Sequence, residues 1–460
     1  MRIPTTLAGA AVLALATISA QPASIAFVNV AVVPMDREVV LRDHTVVVTG
    51  DRITAIGPSS SVKPPAGATV VDGAGKFLMP GLAEMHGHLT GANDALNERI
   101  LLLSVARGIT TVRGMLGHPS HLVLRDRVKK GELLGPTIYT SGPSLNGNTV
   151  PDAATAEKLV TEQKAAGYDL LKIHPGIARG PFDALAATAK KVGIPFAGHV
   201  PIDVGVHRAI DAGYASIDHL DGYVEALLKD GAPVDAKQPG FFGINFVGHL
   251  DESRIPALVA KTKAAGVWNV PTQSLMPAFM GPESTASLVV RPEMKYLPKQ
   301  MVDNWAGQRN KFIDGLKQSD ASAGGTPVPP TDRYRSFMAV RSKIIKALDD
   351  ADAGVLLGAD TPQVMQVPGW ATHGELRSLV AAGLSPYRAL RTGTINVARY
   401  FKTEARTGTL QKGKEASAIL VDGNPLEDIA NAGTISGVLV RGRWLPKAEI
   451  DQKLAALAPM

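Results

Sequence analysis

The segment MHGH places two imidazoles, His86 and His88, two residues apart. On an extended chain such side chains fall on one side, so the pair can grip a single ion. Four more residues of metal-binding or proton-transferring type stand in short apolar stretches: Lys172 in LLKIH, His199 in AGHV, His219 in SIDHL and Asp360 in LGADTP. Cysteine is absent, which excludes disulfides, thiolate metal sites and cysteine nucleophiles. Any metal must therefore be held by nitrogen and oxygen. Neutral imidazole with carboxylate selects borderline divalent ions, zinc first, with manganese, cobalt or iron also fitting. Lys172 is the odd member, because an ammonium would repel cations. Carboxylated at Nζ by carbon dioxide, it becomes an anionic bridge between two metals. Paired metals share a hydroxide that is nucleophilic at neutral pH, and one of them polarises a scissile carbonyl.

The elements that must position these groups are legible as alternating short strands and helical stretches. Eight candidate strands run 77–85, 110–115, 137–142, 170–174, 195–200, 216–220, 267–272 and 355–360, with helical patterns such as 97–108, 153–167, 183–193 and 204–214 between them. Repeated βα units predict a parallel sheet, and eight of them predict a (β/α)8 TIM barrel over 81–400. The six chemical residues lie in or at the ends of these strands, the face on which such barrels build their sites. A long connection at about 273–353 interrupts the pattern, and its tract SDASAGGTPVPPTD (319–332) predicts a flexible lid or insertion. Segments with β-branched alternation at 24–80 and 401–450 predict a small β-sandwich assembled from both chain ends.

Of the 460 residues, 45% are hydrophobic and 20% charged, which excludes general disorder. The net charge of +6 is scattered and aromatics are only 5%, so nucleic-acid binding is not expected. Residues 1–20 have the shape of a signal peptide, which places the protein in the periplasm or outside the cell. No other stretch is long and apolar enough to predict a stable membrane span.

Taken in order and strand placement, PGLAEMHGHL, LLKIH, AGHV, SIDHL and LGADTP resemble the amidohydrolase superfamily. The tail HGELRSLVAAGLSPYRALRTGTINVARYF with GTLQKGKEASAILVDGNPLEDI resembles the binuclear branch that groups imidazolonepropionase-related hydrolases with Xaa-Pro dipeptidases. That resemblance implies that His86, His88 and Asp360 hold the more buried metal, and that His199 and His219 hold the more exposed one. It makes Lys172 the N6-carboxylated bridge and Asp360 the catalytic acid and base. The implied reaction is hydrolysis of amide C–N bonds in dipeptides or N-acyl amino acids. The substrate is a small molecule with a free carboxylate, and a homo-oligomer is left open. A binuclear esterase, lactonase or organophosphate hydrolase is the alternative, and a non-catalytic binding relative a further one.

Three more residues are candidates for touching substrate. His373 follows the eighth strand, His174 lies two residues after Lys172 on the same strand face, and Tyr223 could donate to an oxyanion or a carboxylate.

Overall fold

The computed structural model describes residues 24–322 and 330–457. The expected export segment at 1–20 lies outside the described residues. Fifteen strands are present among them: β1 (Ser24–Val32), β2 (Leu41–Thr49), β3 (Arg52–Pro58), β4 (Thr69–Asp72), β5 (Phe77–Pro80), β6 (Leu82–Gly87), β7 (Ile109–Gly114), β8 (Thr137–Thr140), β9 (Leu171–Ile173), β10 (Phe196–Gly198), β11 (Ser216–Asp218), β12 (Trp268–Val270), β13 (Ala418–Val421), β14 (Ile435–Val440) and β15 (Arg443–Pro446).

Both chain ends enter one mixed, eight-stranded sheet ordered β15-β14-β13-β5-β1-β2-β3, with β4 beside β1. Its β-branched and aromatic residues suit a pleated, half-buried surface. Phe27, Val30, Val46, Val48, Leu78, Leu420 and Leu439 form its core, where Trp444 meets Phe27 edge-on at 4.9 Å.

The strand expected at 77–85 is two strands. Phe77–Pro80 pairs with β13 in the terminal sheet, whereas Leu82–Gly87 pairs parallel with β7. Gly81 is the joint, and a Cβ there would sit 2.2 Å from Thr110 Oγ1. Only glycine permits that approach.

The parallel strands form two ladders, β6-β7-β8 and β12-β11-β10-β9. Single bridges join Ser141 to Leu170, Asn269 to Val355 and Gly87 to Thr361. Residues 355–361 carry no ladder of their own, so the pairing does not run as a closed barrel. Helices cover the strands by the expected spacing. In Arg179–Val192 the buried residues are Phe182, Leu185, Ala186 and Ala189, one face of a helix, which Gly193 ends in the left-handed conformation.

The connection at 273–353 is an insertion with its own helices; the Gly- and Pro-rich centre of its tract, 323–329, lies outside the described residues. It contains Leu275–Met280, Thr285–Val289, Lys299–Ser322 and Pro330–Asp350, all helical. In the last of these Phe337, Val340, Ile344, Ile345 and Leu348 are buried. In the same helix FMAVRSKIIKAL carries an apolar stripe of helical period. Among the described residues no helix is long and apolar enough to cross a membrane.

Candidate active site and metal centre

Strand geometry brings the predicted residues to one face. His86 ends β6 and His88 follows it. Lys172 stands in β9, His199 follows β10, His219 follows β11, and Asp360 closes the 355–360 segment. The ring centroids of His86 and His219 are 4.4 Å apart, those of His199 and His219 4.6 Å, and those of His86 and His88 5.3 Å. Asp360 Oδ1 lies 2.7 Å from His88 Nε2 and 3.8 Å from His86 Nε2, and its Oδ2 lies 3.9 Å from His219 Nδ1. Lys172 Nζ is 3.3 Å from His86 Nε2.

Backbone strain helps to aim these groups. His219 and Asp360 have φ of 63° and 62°, a region that non-glycine residues seldom enter. In a regular strand Asp218 and His219 would point to opposite faces. The left-handed turn at His219 and Leu220 breaks that alternation, so both side chains join the cluster. Gly198 serves a different need. At φ +123° its missing Cβ would lie 2.5 Å from the Ile173 carbonyl and 2.9 Å from Lys172 Cδ, so glycine leaves room for the lysine stem.

A buried frame holds the imidazoles, and most of it was not anticipated from sequence. Asp218 Oδ2 lies 2.8 Å from His86 Nδ1, without the alignment of a hydrogen bond. The same carboxylate accepts two bonds from Arg113 at 3.1 and 3.2 Å and one from the Ser216 hydroxyl at 2.8 Å. Arg113 is fully buried and also donates to the Met85 carbonyl and to Tyr400. Glu84 accepts from the backbone N–H of His86 and Ala359 and from the Thr372 hydroxyl, tying β6 to the segment that carries Asp360. Burial pushes its carboxyl up to about 7. Asp221 takes His199 Nδ1 at 2.9 Å, and Thr272 Oγ1 takes His219 Nδ1 at 2.8 Å. Arg341, from the helix Pro330–Asp350, donates to the carbonyls of His219 and Pro271. A helix of the long connection thus braces a site residue.

Electrostatics keep the cluster ready to ligate. Burial holds His86 and His219 well below the usual imidazole range and takes His199 down to about 3, with the Lys172 charge adding to each shift. Neutral imidazole is the ligating form. Burial also lowers the Lys172 ammonium to about 8. One nitrogen or oxygen from each of His86, His219 and Asp360 lies within 4.8 Å of the others. The donor set therefore fits a divalent metal.

Two of the three further candidates do not join the site. Tyr223 is fully buried, and its hydroxyl bonds Thr262 Oγ1 at 2.9 Å, which makes it a core residue. His373, in the helix Trp370–Ala381, meets the Arg107 carbonyl through Nε2 at 2.8 Å. His174 does stay near: its ring is 5.3 Å from that of His199, and its Nδ1 meets Ser144 Oγ at 2.7 Å.

Residues 77–445 match the amidohydrolase family. The chain belongs to the amidohydrolase family. It is a hydrolase-type enzyme, as that membership states. Ochratoxinase of Aspergillus niger is 23% identical over 399 residues, covering 76% of this chain and 71% of that protein. The imidazolonepropionase of Arthrobacter sp. (strain FB24) is 46% identical over 59 residues, so the match spans 13% of this amidohydrolase and only 14% of that protein. Among solved structures, the bottromycin amidohydrolase superposes with a TM-score of 0.69 at 19% identity, covering 96% of this chain and 92% of that one. A Xaa-Pro dipeptidase with bound methionine gives 0.64 at 17% identity, covering 92% and 100%. At these identities the likeness is one of fold.

Proposed function

We propose that this amidohydrolase cleaves amide C–N bonds of small molecules, dipeptides or N-acyl amino acids, with the aid of two divalent ions. The convergence of four imidazoles, Lys172 and Asp360 at the ends of parallel strands carries the reading. His86, His88 and Asp360 would hold the inner ion and His199 and His219 the outer, with Lys172 carboxylated between them and zinc the first choice of metal. Ions bound there would polarise the amide carbonyl and acidify water.

The remaining work falls to the chain's own groups. Asp360 reaches toward His86, His88 and His219. Its carboxylate takes a proton from the attacking water and passes it to the leaving nitrogen. Asp221 and Thr272 fix the His199 and His219 rings through hydrogen bonds to their Nδ1 atoms, and the Asp218 carboxylate stands 2.8 Å from His86 Nδ1. With its ammonium lowered to about 8, Lys172 has a share of neutral amine near neutral pH, the form that reacts with carbon dioxide.

The single bridges at Leu170, Val355 and Thr361 support reading the eight segments as a (β/α)8 barrel with 355–360 as its eighth strand. Relatives named as a dipeptidase and an amidohydrolase support the bond class. The apolar run within residues 1–20 supports export to the periplasm or beyond.

The test is a screen of dipeptides and N-acyl amino acids with zinc- or manganese-loaded protein, run beside Asp360→Asn. That variant is expected to fold and bind metal yet lose several powers of ten in turnover. Turnover near that of the parent would remove Asp360 from its role.

A further inference from the structure

Beside the outer imidazole lies a cavity of about 600 Å³. It is bounded by the segments that follow β9, β10 and β11 and by residues 239–242, so it opens on the face where the site residues converge. Its volume is in the range of small-molecule pockets. Val200, Ile202, Val204, Val206, Phe241 and Phe242 supply most of the wall, and His199 completes it. Whatever fills this space therefore touches the centre. Ile202 is 46% exposed, so this apolar side chain is not consumed by the core.

The polar lining points the same way. Neither arginine nor lysine lines the cavity, whereas the carboxyl side chains of Asp221 and Glu225 do. Away from His199, an anionic group entering here would lose water among apolar walls and two carboxyl side chains, with only the His207 imidazole to offset them. The lining favours an uncharged group over a free carboxylate.

Phe242 lines the cavity and faces the imidazoles of the centre. Its ring lies 6.1 Å from that of His199 at 11° and 5.0 Å from that of His219 at 21°, so it is stacked over both. The residue has φ 52° and ψ 40°, left-handed for a bulky side chain. Phe241 backs it at 4.3 Å and in turn packs on Phe279 and Phe312. This strained turn fixes an aromatic wall directly over two imidazoles.

We propose that the cavity is the specificity pocket of the enzyme, taking an uncharged apolar group of the substrate, aromatic or branched aliphatic, packed against Phe242. The choice of bond rests on the hydrolase reading above; the binding preference rests on the lining alone.

The experiment uses the metal-loaded enzyme with Phe-Gly, Leu-Gly, Lys-Gly, Glu-Gly and Gly-Gly, and with the same pairs reversed, so that each side chain is presented on either side of the amide. On one side Phe and Leu are expected to exceed Gly and Glu in kcat/KM by roughly 10- to 200-fold. Val206→Trp fills the cavity and should cut the Phe-over-Gly preference to within about three-fold, a loss of the discrimination that filling the pocket supplied. Should that variant fail to fold, Ile202→Glu alters only an exposed wall position and should move the preference from Phe toward Lys. Glu-containing dipeptides matching Phe-containing ones on both sides would overturn the proposal, as would a folded variant of either kind that kept the parental preference. If no dipeptide is cleaved, the dipeptide reading fails and calorimetry tests the pocket by itself. Hydrocinnamamide should then bind more tightly than acetamide or succinamate, and less tightly to Ile202→Glu. Equal or absent binding of the three amides would refute the pocket.

Discussion

Replacing Asp218 by Asn changes one atom and should disturb two functions at once. Asp218 is fully buried, pairs with the equally buried Arg113 at 3.1 and 3.2 Å, and stands 2.8 Å from His86 Nδ1. Removing one partner of such a pair leaves an uncompensated buried charge, a cost of about 3–5 kcal/mol. Arg113 keeps its bonds to Met85, Ser216 and Tyr400, so the lower half of that range is expected. The loss of the carboxylate behind His86 should also weaken metal binding by roughly 10- to 100-fold. Urea unfolding of the metal-free protein reads the first effect, and chelator competition with zinc reads the second. Combining Asp218→Asn with Arg113→Met removes both charges, and the pair should cost less than the sum of the single changes by about 2 kcal/mol. A single variant within 0.5 kcal/mol or so of the parent, with unchanged zinc affinity, would show that this carboxylate neither neutralises Arg113 nor positions His86.

Gly198→Ala should cost about 1–3 kcal/mol in backbone strain and, by pushing on Lys172, reduce metal content; thermal unfolding and metal analysis check both. Lys172→Ala should lose most bound metal and nearly all activity, and added formate, acetate or propionate should restore part of each. An active, one-metal Lys172→Ala enzyme indifferent to those acids would refute the bridge. His373 offers a pH test remote from the centre. Burial takes its imidazole from 6.5 down to about 3, so the unfolded chain binds the proton more readily. The stabilisation is complete above pH 6.5 and is lost as pH falls below it, by about 3 kcal/mol at pH 4.5. His373→Gln keeps a donor for the Arg107 carbonyl and does not titrate, so its urea midpoint should fall less than the parent's between pH 7 and 4.5.

The six residues that converge were legible because each sits in or at the end of a short apolar stretch, where the two-residue period of a strand predicts direction. Asp218 was hidden by that same rule, since it precedes His219 and ordinary alternation turns it away. Only the left-handed backbone at His219 brings it back, and no residue type announces that conformation there. Arg113 did leave a signal, a cation inside TTVRGM, but finding its partner needed the fold. Tyr223 and His373 had suitable chemistry and found structural partners through contacts distant in sequence. In the 273–353 connection the helical stripe of FMAVRSKIIKAL was legible, but that its Arg341 reaches the His219 carbonyl needed the fold.

The joint at Gly81 also sets an order of events during synthesis. Phe77–Pro80 leads into the strand that carries His86, and it lies between Ser24–Val32 on one edge and Ala418–Val421 on the other. The first edge can pair early, whereas the second stays open until more than three hundred further residues have been made. A stop codon before Ala418, beyond every proposed ligand, would leave that edge bare.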